Sequence, residues 1–332
     1  MDNLTHTAIG LFLSRTGLGR WSPHGTAIML IAANIPDADV VSAAGGALNY
    51  LTWHRHLTHS LLLMPVMAMA AVLVVRVVGR KPVNWLGGFF AALIAVASHL
   101  ALDWTNVYGI RLLLPFSSRW LRADTTGVVD LWIWAVLGIG IAGPFLARLV
   151  GSEISSGPVR QPHHGRGFAW FALLAVLLYD CGRGVLHGRA VASLDARMYD
   201  EALPLRVAAM PDAVNPFRWR GIVETPGAYV IQDVNLALGG ANPRGTVYHK
   251  PDAEPAIEVA RATPTFQSFL AFSQYPLWRV MPYPAVEDGK LVEVFDLRFG
   301  APLAPGFMAR AVLDSRQRVV ETSFQFGAVR PR

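Results

Sequence analysis

The chain has 332 residues, 53% of them hydrophobic and only 16% charged, with a net charge of +6. Soluble domains average about 25% charged residues, so the composition argues against a wholly water-soluble protein, and the single cysteine excludes an intrachain disulfide. The arginines flank apolar runs instead of forming one block, which reads as membrane topology and gives nucleic-acid binding no support.

From the N-terminus, MDNLTHTAIG lacks a basic n-region and a small-residue cleavage site, so it is not read as a removable signal peptide. Residues 4–13 and 26–35 are apolar but short, and Arg15 and Arg20 separate them. They are predicted as two short helices, with a re-entrant hairpin as the alternative. Residues 60–79, 85–104, 128–149 and 168–186 come close to or exceed the roughly 20 apolar residues a spanning helix needs. The expected fold class is therefore an α-helical membrane bundle of about five to six segments, followed by a small β-rich or α+β extramembrane domain. The expected division is 1–189 for the membrane domain, which holds the metal site, and 190–332 for the other.

Arg15, Arg20, Arg76, Arg80, Lys81, Arg148, Arg160 and Arg166 fall on one side of such a bundle. By the positive-inside rule that side is cytoplasmic. Arg55, Arg111, Arg119 and Arg122 fall on the other, so the bias is modest. This topology puts residues 190–332 on the periplasmic side of a bacterial inner membrane.

The same topology sends His6, Asp37, Asp39, His54, His56, His59, His99 and Asp103 to one outer level. His99 and Asp103 are i, i+4 and share a helix face. Pro36 ends a helix and leaves Asp37 and Asp39 on a turn, and His54, His56 and His59 place three imidazoles in a short stretch. Taken singly, each is a solvated histidine, a helix cap or a structural hydrogen bond; their convergence points to a metal site. Imidazole with carboxylate and no thiolate suits zinc, manganese or iron. The ligands outnumber the three or four of one catalytic zinc, which leaves room for a dinuclear site.

Further along, Arg111, Arg119 and Arg122 offer guanidinium forks suited to phosphate, or to lipid headgroups as Trp104, Trp120 and Trp132 are. Asp130 opens the next apolar run as a further ligand or an arginine partner. Asp180, Arg183 and His187 share a helix face, either as an internal Asp180–Arg183 pair or with Arg183 turned to the site and His187 relaying protons. His163 and His164 are read as solvated. Beyond residue 190 a helix is expected over 190–203. Strands are expected over 221–224, 228–231, 246–249, 291–297, 307–313 and 319–326, with a hairpin turn at Asp288-Gly289. The aromatic stretches 216–220 and 266–278 read as core or as a cover for the site. This part shows no nucleophile motif, phosphate loop or zinc pattern, and no internal repeat stands out.

Thr5-His6, Pro36-Asp37-Ala38-Asp39, His54-Arg55 followed by Thr58-His59-Ser60, and Ser98-His99 with Asp103 together resemble the membrane-bound metal-dependent hydrolases of the YdjM-like group. The resemblance runs over roughly residues 1–135. It implies His6, Asp37, Asp39, His54, His59, His99 and Asp103 as metal ligands; His56 stands where that group often has glycine. The expected function is a membrane hydrolase that uses a zinc- or manganese-activated water at the outer face. Its substrate would be a phosphoester or lipid-linked molecule, with Arg111, Arg183 and Asp130 as catalytic residues and membrane lipid as partner. The alternative is a membrane transport or binding protein whose cluster carries metal ions or protons. An intramembrane metalloprotease lacks its His-Glu-Xaa-Xaa-His helix here.

Overall fold

The computed structural model describes residues 1–154 and 165–327; Arg160, His163 and His164 lie outside them. The chain divides into two compact units, taken over the described residues. The first is Met1–Ala38, Arg55–Gly188 and Pro211–Phe217; the second is Asp39–His54, Arg189–Met210 and Arg218–Arg332.

The helices are α1 (Asn3–Arg15), α2 (Gly25–Ala32), α3 (Ala47–Trp53), α4 (Met64–Leu73), α5 (Trp85–Thr105), α6 (Leu131–Ile154) and α7 (Arg166–Asp195), with a 3-10 stretch at Ile35–Gly45. Among the described residues α5, α6 and α7 are long and apolar enough to cross a membrane, and the count rises to five if each of two bent helix pairs forms one span. The run 60–79 is not one helix. Ser60–Leu63 is a turn, and α4 starts at Met64 with Pro65 in its first turn, where a missing N–H costs nothing.

Trp132, Ile139, Ile141 and Phe145 on α6, and Trp170, Phe171, Leu174 and Leu178 on α7, all stay exposed. Such a surface is stable only where lipid, not water, covers it. Inside, α2, α4 and α5 meet through Ala32, Ala33, Ala68, Ala71, Ala91, Ala92 and Ala95, all buried. Small residues let helix backbones approach, the usual device for packing in lipid. Gly10 does the same for α1, because a Cβ there would lie 2.7 Å from the Ala33 Cβ.

In the second unit, α3 packs on α8 (Pro255–Arg261)'s successor α9 (Pro264–Phe272) and on the last strand, with Tyr50 edge-on to Phe326. Its strands are β1 (Arg206–Pro211), β2 (Arg218–Glu224), β3 (Ala228–Asn235), β4 (Gly240–Ala241), β5 (Thr246–His249), β6 (Pro276–Pro282), β7 (Lys290–Asp296), β8 (Gly300–Ala301), β9 (Ala304–Pro305), β10 (Phe307–Leu313) and β11 (Val319–Phe326). One sheet runs β1-β2-β3-β4, with β5 also on β3; the other runs β11-β10-β7-β6, and β8 pairs β9. The pairings given by residue are antiparallel. Strand β7, flanked on both edges, is buried along nearly its whole length.

The two larger sheets repeat one motif that the sequence did not disclose. Hairpins β2–β3 and β6–β7 each run into a 3-10 turn, capped by the side chain of Asn235 or Asp296. Each turn is followed by a glycine of positive φ, Gly239 or Gly300. A later strand then returns to pair with the hairpin's second strand. Asp296 is also buried against Arg298, whose guanidinium donates to it and to the Phe272 carbonyl.

Candidate metal centre

Three stretches of the first unit converge on one point. Pro36 and the 3-10 backbone deliver Asp37, a one-turn 3-10 helix over Leu57–His59 delivers His59, and one face of α5 delivers His99 and Asp103. One donor atom from each of these four lies within 4.8 Å of the others. His59 Nε2 is 3.1 Å from His99 Nε2, 3.3 Å from Asp103 Oδ2 and 3.4 Å from Asp37 Oδ1. His99 Nε2 is 3.4 Å from Asp103 Oδ2 and 3.7 Å from Asp37 Oδ1. Donors bound tetrahedrally at zinc's usual bond lengths stand about 3.3–3.4 Å apart, so these five separations, 3.1–3.7 Å, lie close to five of the six edges of such a tetrahedron.

The surrounding groups fit this donor set. His99 Nδ1 lies 2.8 Å from the Ala33 carbonyl, which makes Nδ1 the protonated nitrogen and turns the Nε2 lone pair inward. His59 Nδ1 is 3.0 Å from the Thr58 hydroxyl. Asp103 is fully buried and its two oxygens differ. Oδ1 accepts from the amino group of Met1, from Arg55 Nη2 at 2.8 Å and from Asn106 Nδ2 at 3.3 Å. Oδ2 has no hydrogen-bond donor among the described residues. A buried carboxylate oxygen left so is costly, and a cation between it and the two Nε2 atoms removes the cost.

A family model described as YdjM inner membrane protein matches residues 1–190. The chain belongs to the YdjM inner membrane protein family. A second model, described as the YfhP C-terminal alpha/beta plait domain, matches residues 255–327 of this YdjM-family chain, the stretch from α8 to β11. The chain is also similar to the uncharacterized protein YfhP of Bacillus subtilis (strain 168): 24% identical over 318 residues, covering 90% of this chain and 87% of that one. No solved structure matches the YdjM-family chain.

The remaining expected site residues of this YdjM-family chain are placed as follows. His6 is buried and stacks on His99, with ring centroids 3.8 Å apart, and its Nε2 is 3.4 Å from Asp103 Oδ1, outside the four-donor group. Neither of its ring nitrogens has a hydrogen-bond partner among the described residues. His54 and Asp39 belong to the second unit and pair with each other, Nδ1 to Oδ1 at 2.9 Å, while His54 stacks on Tyr50. Asp130 caps α6, accepting from Trp132 N and Ile133 N, and takes the Tyr179 hydroxyl on its other oxygen. Arg183 is 1% exposed and donates to the carbonyls of Thr125 and Pro216. Asp180 accepts from Thr125 Oγ1. Arg111 lies over the Trp120 ring at 4.7 Å, Arg122 pairs with Asp124, and Arg119 is exposed.

Sequence reasoning missed Arg55, Asn106 and the Ala33 carbonyl as parts of the surround. Arg55 carries a signal, because it sits inside the histidine run and in the His54-Arg55 motif, but from sequence it reads as an outer-loop charge and not as a partner of Asp103.

Proposed function

We propose that this YdjM-family chain is an integral membrane, metal-dependent hydrolase acting on a phosphoester or lipid-linked substrate at the outer face of the membrane. The observation that carries the reading is the four-donor group, in which His59, His99 and Asp103 are buried and Asp37, only partly buried, marks the side where a water can join the set. A divalent ion, zinc or manganese, supplies an acidified water and a Lewis acid when bound there. Asp37 is the least buried of the four, so substrate approaches along its edge. Asp103 and His99 are held rigid by Arg55, Asn106 and Ala33, and the buried guanidinium of Arg55 adds positive charge that favours an anionic substrate. Since Arg55 is buried against Asp103, it drops out of the outer-loop charge count, which strengthens the orientation with the second unit in the periplasm.

A second reading, a metal carrier or a metal-stabilised binding protein, is favoured by one observation: four protein donors already complete the set of a closed zinc site. The protein purified in detergent separates the two. Bound metal that disappears in His59→Ala and Asp103→Ala, together with hydrolysis of generic phosphomonoesters or phosphodiesters lost in the same variants, is the result expected of the hydrolase. Metal loss without any hydrolysis leaves the carrier, and metal retained in both variants removes the centre. A metal-to-protein ratio of one is expected for the four donors; a ratio of two brings in His54 and Asp39.

A further inference from the structure

The two oxygens of Asp103 have different occupations: Oδ1 takes the Met1 amino group, Asn106 and Arg55, and Arg55 is the donor that is itself clamped on several sides. Arg55 is 3% exposed and donates Nη2 to Asp103 Oδ1 at 2.8 Å. Its other terminal nitrogen, Nη1, donates to Asn106 Oδ1 and to the Gly109 carbonyl, both at 3.1 Å, and its guanidinium lies over the Tyr108 ring. Asn106 in turn donates Nδ2 to the same Asp103 Oδ1 and accepts from the Tyr108 N–H. The guanidinium is thus fixed on three sides and cannot swing off the carboxylate without breaking the loop after α5. Oδ2 alone faces the two Nε2 atoms.

We infer that Arg55 is a positioning residue that holds Asp103 to one-oxygen coordination and thereby sets which metal the centre prefers. This rests on the metal-centre reading above. Zinc accepts four donors in a tetrahedron, each carboxylate giving one oxygen. Manganese, like magnesium and calcium, favours six oxygen-rich positions, and larger hard ions readily take both oxygens of a carboxylate. With Oδ1 committed to Arg55, Asn106 and the Met1 amino group, Asp103 cannot chelate through both oxygens. The centre is held at the lower coordination number, and the six-coordinate ion loses most by it.

The test compares two ions on one protein. Full-length protein in detergent is stripped of metal, and the Kd values for Zn2+ and Mn2+ are measured by chelator competition in wild type, Arg55→Met and Arg55→Lys. Loss of the arginine charge acts alike on two divalent ions, so the ratio of the two Kd values isolates geometry. In Arg55→Met the preference for Zn2+ over Mn2+ is expected to fall by about tenfold or more, the scale of outer-sphere effects on metal sites. Arg55→Lys can still give one donor to Oδ1 and restores most of the preference. Asn106→Ala removes another of the donors to Oδ1 while keeping the charge, and shifts the ratio the same way by a smaller factor. The melting temperature of each metal-free variant identifies those that fold. An unchanged ratio in the folded variants, with both affinities weakened equally, overturns the positioning role and leaves the centre standing. Failure of the wild type to bind either ion overturns the centre itself.

Discussion

His59 and His99 face each other with their Nε2 atoms 3.1 Å apart, and in each ring the opposite nitrogen lies against a protein oxygen, the Thr58 hydroxyl for one and the Ala33 carbonyl for the other. The Ala33 carbonyl can only accept, so His99 turns an Nε2 lone pair toward the Nε2 of His59, an arrangement that suits a cation between the two rings.

Binding of an ion there is expected to stabilise the first unit. Zn2+ at a hundred times its Kd raises stability by about 2.7 kcal/mol. Thermal melts of wild type with and without Zn2+ should show that rise, and His59→Ala should show none. An equal rise in both would place the bound ion elsewhere.

His6 separates stacking from ligation. It lies on the face of His99 but outside the four donors. His6→Ala should keep one metal per chain, with affinity reduced by about 10–100-fold, the range for residues that orient ligands. Metal content and chelator competition check this, and complete loss of metal would make His6 a donor.

Gly10→Ala reaches the centre without touching a donor. The added Cβ would come within 2.7 Å of the Ala33 Cβ, and the Ala33 carbonyl orients His99. Overpacking of this kind costs about 1–3 kcal/mol. A lowered melting temperature is expected together with weaker Zn2+ binding, whereas Asp130→Ala, which removes the cap of α6, should cost about 1 kcal/mol with the metal retained.

In the second unit, burial by itself raises the Asp296 carboxyl, but the Arg298 guanidinium and N–H, together with the Gln274 N–H, hold it below the usual carboxylate range. A carboxyl whose folded value is depressed stabilises above its unfolded value, about pH 4, and that stability is lost as pH falls through the lower, folded value. Near neutrality Asp296→Asn leaves Arg298 buried without its partner and should cost about 3–5 kcal/mol. Melts over a pH series should show the wild-type advantage flat above about pH 5 and shrinking below about pH 4. An advantage that persists in strong acid would assign it to shape and not to charge.

Much of the centre was legible. Asp103 follows His99 by one helical turn, Pro36 stops the chain just before Asp37, and His59 lies in a run of histidines, all signals that survive without coordinates. His54 and Asp39 were not separable from the rest, because nothing in a seven-residue helix says which core it joins; α3 joins α9 and β11. Strands β5, β10 and β11 were readable to the residue from their composition and turns. Strand β6 was not, since Pro276 and Pro282 bound it and its one aromatic, Trp278, ends a stretch that reads only as core or cover. Helix α9 carried a start signal that went unread: Thr263 caps it and Pro264 opens it, just ahead of the aromatic stretch 266–278.

Asp103 meets different groups with its two oxygens, Arg55 and Asn106 on one and the imidazoles of His59 and His99 on the other. That narrows what position 103 can hold. Asparagine has one acceptor oxygen where two are used, and turns its N–H group toward either the guanidinium or the metal centre. Glutamate reaches one methylene too far from the same turn of α5, and a neutral histidine has one lone pair, which serves the arginine or the metal centre but not both. Among the twenty side chains, only the shortest carboxylate answers both neighbours at once, so the usual swaps between look-alike residues are closed to this position.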